Sequence, residues 1–82
     1  MTRDDALSVL RDALARIAPE VDLDEVDADA ELREELELDS MDFLNLMVAI
    51  KERTGIEVPE RDYPLMASLN SSIEYLTAHV AA

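Results

Sequence analysis

The sequence predicts an all-α fold: a small antiparallel four-helix bundle of three main helices and one short helix, with a long first loop. Three observations carry that prediction. Apolar residues recur at spacings of three and four in three separate stretches, no stretch of useful length alternates as a strand would, and the chain holds a single glycine. Apolar residues make up 49% of the 82 positions, enough for one small core. The length suits one domain spanning residues 1–82 and is too short for two.

Thr2 followed by Asp5 has the pattern of a capping box, and Leu7, Leu10, Leu14 and Ile17 continue it as an amphipathic stripe. Pro19 closes that stripe, so a first helix is expected over about residues 3 to 17. From Ala18 to Asp39 the periodicity weakens, yet Val21, Leu23, Val26, Leu32, Leu36 and Leu38 supply too much apolar surface for a free linker. The segment is expected to pack on the core, with a turn of helix after Asp29. Asp39 is a good N-cap with Asp42 at the third helical position, and the helix it opens runs to about Thr54, where Gly55 provides a left-handed stop. Pro59 and Pro64 forbid a long helix in "IEVPERDYPLMASL", leaving a turn or two between Glu60 and Met66. Ser68 then caps a last helix along which Leu69, Ile73, Leu76 and Val80 keep the helical spacing.

Twenty acidic residues against seven basic ones give a formal net charge of −13, which repels phosphate backbones and anionic membrane surfaces. Neither nucleic acid nor membrane is an expected partner. The excess is local: twelve acids and one base, Arg33, lie between Glu20 and Asp42, whereas Met41 to Ile56 is neutral. A solvated loop and a surface that steers basic partners both fit such a run. A calcium loop does not, because counting from Asp22 puts Asp27 at the glycine position and Arg33 at the bidentate glutamate position, and counting from Asp27 puts Leu32 and Leu38 there. No metal site is expected. The absence of cysteine removes disulfides and thiolate chemistry and is consistent with a reducing compartment. The start "MTRDDALSVLRDALARI" has acids where a signal peptide is basic, and its apolar residues are interrupted every two or three positions. The chain is therefore expected to be a soluble, cytoplasmic monomer.

"LELDSMDFLNLM", residues 36 to 47, sets Ser40 between two aspartates at the mouth of the second main helix. A nucleophilic serine needs a strained elbow and a base, but "LDSMD" has no flanking glycine and the sole histidine, His79, is remote in sequence and is given no role. Catalysis by this chain is not expected. Ser40 sits instead at a helix terminus, where unpaired N–H groups and the dipole tolerate an attached phosphate, although a helix-start serine beside an aspartate cap needs no function. "NSS" at Asn70 fits the glycosylation pattern and is read as the start of the last helix.

"ELREELELDSMDFLNLMVAIKERTGIEVPE" closely resembles the acyl carrier protein family, in which a D-S-L or D-S-M triplet opens the second helix and a G-I-x-[IV]-P turn follows it. "SLNSSIEYL" is similar to the family's "TVxDAIxYL" segment, so the likeness runs from about Glu31 to Leu76. The resemblance implies that Ser40 receives a 4′-phosphopantetheine arm from coenzyme A, in a magnesium-dependent reaction run by a separate phosphopantetheinyl transferase. It implies that Asp39, beside the attachment point, supports that transfer. Acyl or related carboxylate groups then ride on the arm as thioesters between acyl-loading and acyl-transferring enzymes of lipid or polyketide biosynthesis. The chain is by this reading a substrate of enzymes and not itself an enzyme. A peptidyl or aminoacyl carrier, or an unmodified carrier-like interaction module, are the alternatives. Two features depart from the family's pattern: Glu37 stands where "LGxDS" has glycine, and Asn45, Lys51 and Arg53 dilute a helix that is normally acidic on its docking face. A specialised member with its own partners is implied.

Advancing about 100° per residue gathers Phe43, Leu46, Met47, Ile50 and Thr54 on one side of this helix, the expected core face. Phe43, where the family often has a smaller residue, would narrow any cavity for an acyl chain. Met41, Leu44 and Val48 fall away from that side, interleaved with Asn45, Lys51 and Glu52. This apolar strip among polar residues is expected to be the surface that partners grip, unless the acid-rich loop covers it.

Overall fold

Reciprocal side-chain caps mark where each main helix begins. Thr2 Oγ1 accepts from the Asp5 N–H at 3.2 Å and Asp5 Oδ2 accepts from the Thr2 N–H at 3.0 Å. Asp39 and Asp42 exchange the same pair of bonds at 2.8 and 3.3 Å, and Ser68 and Ser71 both at 3.0 Å. Each pair satisfies two of the N–H groups that a helix start leaves unpaired. The computed structural model describes residues 1–79. Within them the elements are α1 (Arg3–Ile17), a 3-10 turn (Leu23–Glu25), α2 (Leu32–Glu35), α3 (Ser40–Thr54), a 3-10 helix (Glu60–Met66) and α4 (Leu69–Ala78). Among the described residues the only extended pairing is one isolated bridge between Glu31 and Ser68. Val80, expected on the last helix, lies outside the described residues.

The expected all-helical bundle is what the chain forms. Gly55 ends α3 at φ 76°, its N–H donating to the Lys51 carbonyl, as a left-handed stop requires. Asp12 pairs with Arg53 at 2.7 Å and Arg16 with Glu52 at 3.0 Å, while Ile17 shares a cleft with Asn45 and Ala49. Moving forward along α1 thus moves backward along α3, and the two helices run antiparallel. Leu10, Leu14, Leu32, Leu46, Ile50, Met66 and Leu76 are wholly buried between the elements. Phe43, Leu46, Met47 and Ile50 lie on the core side of α3 as the periodicity indicates, joined by Ala49, and Thr54 is half-buried.

The long first loop is not free. Leu23, Leu32 and Leu38 are buried and Val21, Val26 and Leu36 pack against the core. The turn of helix expected after Asp29 is α2; the 3-10 turn at Leu23–Glu25 is an addition to that expectation. Backbone bonds from Leu32 N to Ala67 O at 2.7 Å and from Asn70 N to Ala28 O at 3.0 Å pin the loop to the start of α4. The Asn70 amide donates to Asp29 Oδ1 at 2.7 Å and accepts from Arg3 Nη2 at 2.6 Å, so one side chain ties loop, α1 and α4 together.

Candidate functional site

Ser40 is the first residue of α3 and is exposed. Asp39 and Asp42 are occupied in holding that helix start, so the serine's position is set by its two neighbours. Its hydroxyl oxygen accepts from Arg33 Nη2 at 3.3 Å. The Arg33 guanidinium in turn lies over the Phe43 ring, 5.7 Å from its centroid, and the ring is buried and meets Tyr63 edge-on at 5.3 Å and 72°.

The turn between α2 and α3 explains how Arg33 reaches back. The Leu38 N–H donates to the Arg33 carbonyl at 2.9 Å and the Glu37 N–H to the Glu34 carbonyl at 3.4 Å, the two bonds of a Schellman motif. Glu37 occupies its left-handed position at φ 55°. Glycine is the usual residue there because it has no Cβ to clash, which gives the glycine of the "LGxDS" pattern a physical reason. Here the chain makes the same turn with a glutamate.

His79, remote from Ser40 in sequence, stacks its ring on Tyr75 at 4.0 Å and contacts the Tyr75 carbonyl through Nδ1 at 2.8 Å. The Tyr75 hydroxyl donates to Asp62 at 2.8 Å; burial first, and then this bond, raise its pKa above the ordinary value. Among the described residues no group of three or more histidine, cysteine, aspartate or glutamate side chains gathers as metal ligands would.

The strip on α3 is open. Met41, Leu44 and Val48 are 63%, 43% and 49% exposed, and Asn45, Lys51 and Glu52 are exposed beside them. Lys51 pairs with Glu57 at 3.4 Å and Glu52 with Arg16 of α1. Val48 stands on a crest between two clefts, one of about 340 Å³ reaching Arg16, Asp42, Asn45 and Glu52, the other of about 210 Å³ reaching Leu44, Lys51, Val58 and Tyr63. A third cleft of about 220 Å³ is walled by Phe43, Tyr63, Pro64 and Ala67 with Glu31 and Arg33 at its polar side. Leu65, 53% exposed on the 3-10 helix, adds an apolar side chain that the sequence reading did not single out. Arg33 was visible there only as the lone base of an acidic run.

The family described as "Phosphopantetheine attachment site" matches residues 8–80. An acyl carrier protein of Rubrobacter xylanophilus is 32% identical over 62 residues, 76% of each chain. The chain belongs to the acyl carrier protein family. An acyl carrier protein of Streptomyces coelicolor is 33% identical over 76 residues, 93% of this chain and 83% of that one. The mitochondrial acyl carrier protein of Saccharomyces cerevisiae is 27% identical over 67 residues, 82% of this chain and 54% of that one. As a member of the family, the carrier bears a covalently attached 4′-phosphopantetheine group and serves phosphopantetheinyl transferases and acyl-handling enzymes as a class. The exposed hydroxyl of Ser40, with a guanidinium beside it, fits a phosphate-linked group.

Proposed function

We propose that the carrier holds acyl or related carboxylate groups as thioesters on an arm attached to Ser40. The observation that supports this most is the exposed hydroxyl held at the first turn of α3 by a capping box, inside the D-S-M triplet. When bound, the arm supplies a terminal thiol, and the acyl chemistry belongs to that thiol. Attachment forms a bond from Ser40 Oγ to phosphorus and breaks the pyrophosphate bond of coenzyme A, releasing its adenosine half. The hydroxyl proton passes to a base of the transferase, which works with magnesium. Asp39 contributes by fixing the helix start that presents Ser40.

The carrier is a substrate of its partners and not an enzyme, working as a monomeric domain over residues 1–82 in the cytoplasm on a lipid or polyketide route. Its partners dock on Met41, Leu44 and Val48 with Asn45, Lys51 and Glu52 around them, the apolar residues contributing buried area and the polar ones register. Because the charges on this helix cancel, recognition rests more on shape than on attraction to a basic patch.

The test is the intact mass after incubation with coenzyme A, magnesium and a phosphopantetheinyl transferase. One arm is expected on the wild type and none on Ser40→Ala, with the same helicity melt for both. Arm attachment that survives in Ser40→Ala, or none on the wild type with several transferases, would leave the unmodified interaction module as the better reading.

A further inference from the structure

Arg33 is the only cation between Arg16 and Lys51, and it lies within the most acidic part of the chain. Among the described residues Arg11, Arg16, Lys51 and Arg53 each pair with a carboxylate, whereas Arg33 pairs with none and reaches the Ser40 hydroxyl at 3.3 Å. Two constraints hold it in that direction. Its guanidinium rests over the buried Phe43 ring, and its backbone carbonyl is bound by the Leu38 N–H in the turn through Glu37. A neutral hydroxyl is a modest partner for a guanidinium. A phosphodiester on the same oxygen is a much stronger one, because its charge and its paired oxygens match the planar fork.

We propose that Arg33 is a positioning residue that clamps the phosphodiester of the arm at Ser40, an assignment that rests on Ser40 carrying the arm. The reach settles which anion it takes: phosphorus would be bonded to the very oxygen that Arg33 already contacts, whereas a charged cargo would be a full arm's length away. The clamp also answers a charge problem. An added anion at Ser40 joins Glu34, Glu35, Glu37, Asp39 and Asp42 within a few residues, and Arg33 is the one opposite charge on that stretch. It therefore fixes the root of the arm and offsets the repulsion that Glu37 adds where the "LGxDS" pattern has glycine.

The experiment loads wild type, Arg33→Lys and Arg33→Gln with the arm and confirms its attachment to Ser40 by mass. The ³¹P resonance of the phosphodiester and the Arg33 Nε–H resonance are then followed as sodium chloride rises from about 0.01 M to about 1 M, over which the Debye length falls from roughly 30 to 3 Å. At low salt the wild-type ³¹P shift should differ from that of Arg33→Gln, with Arg33→Lys between them, and the three should converge as salt rises. Loading should shift Arg33 Nε–H in the wild type, whereas the same incubation should leave it in place in a Ser40→Ala control, which takes no arm. Loading should also change Tm more favourably in the wild type than in Arg33→Gln, each compared with its own unloaded form, so that whatever Arg33 contributes to the unloaded fold cancels. Superimposable ³¹P shifts and equal loading effects on Tm in wild type and Arg33→Gln would overturn the clamp while leaving Ser40 as the attachment point. Failure of the wild type to take up an arm at all would remove both readings.

Discussion

Glu37 holds a φ of 55°, a region that a Cβ disfavours by roughly 1–2 kcal/mol. The strain persists because Leu32, the first residue of α2, and Leu38, just beyond its end, are both buried, and a helix of four residues has little room to end elsewhere. Glu37→Gly is therefore expected to stabilise the carrier by about 0.5–1 kcal/mol, the relief being partly offset by a freer unfolded chain. Urea melts decide it, and a midpoint that is unchanged or lower would mean that the glutamate side chain recovers the strain elsewhere. Tyr75 gives a second residue-scale expectation. Burial and the bond to Asp62 hold its proton more tightly in the folded than in the unfolded chain, above the ordinary pKa of 10.0. Its contribution is then complete below that pH and is lost as pH rises through the folded value. Stability above pH 10 should fall more steeply in the wild type than in Tyr75→Phe, and parallel alkaline profiles would remove Tyr75 as the cause.

At the scale of the element, α3 has two faces with opposite sensitivities. Val48 is 49% exposed on its crest, so Val48→Asp should change stability by no more than about 0.5 kcal/mol. Lys51→Glu breaks an exposed pair with Glu57 that is worth roughly 1 kcal/mol or less. Both should slow acyl transfer by partner enzymes. Phe43→Ala removes a buried ring packed on Tyr63 and should cost about 3 kcal/mol. Helicity melts paired with transfer rates separate the faces: a Val48→Asp protein that melts as early as Phe43→Ala, or transfers at the wild-type rate, would move docking off this side of α3. These faces and the helix starts were legible in the sequence because their causes are local. Thr2 with Asp5 and Asp39 with Asp42 meet three residues apart, and the faces follow from helical period alone. The first loop was less so, since the bonds that order it join Leu32 to Ala67 and Asn70 to Ala28 across distant parts of the chain. The left-handed turn at Glu37 carried no signal of its own, as glutamate does not favour it, and only the glycine of the family pattern marked the place. The Arg33 contact with Ser40 depends on that turn, so this half of the candidate site emerged only with the fold.

For the whole molecule the governing quantity is how far one charge is felt by another. The Cα radius of gyration is 11.4 Å and the longest extent 32 Å. At 0.1 M salt the Debye length is roughly 10 Å, so each carboxylate senses its near neighbours; at 0.01 M it is roughly 30 Å, and the charges of the whole carrier repel together. Among the described residues four ion pairs oppose this, but their side chains are between 45% and 77% exposed, and such pairs contribute roughly 1 kcal/mol or less each. With a net charge of −13 the repulsive terms outnumber the attractive ones, and unfolding relieves them by spreading the acids along an expanded chain. Screening should then favour the fold, and Tm is expected to rise as sodium chloride goes from about 0.01 M to about 0.2 M, where Debye screening contracts most over the size of the molecule. The location of the effect is testable as well, because twelve of the acids lie between Glu20 and Asp42. Replacing Glu34 and Glu35, both exposed, by glutamine should raise the low-salt Tm and flatten its dependence on salt. A Tm that stays level or falls with salt would show that the four pairs outweigh the repulsion, and an unchanged slope in the double variant would place the repulsion outside the acidic run.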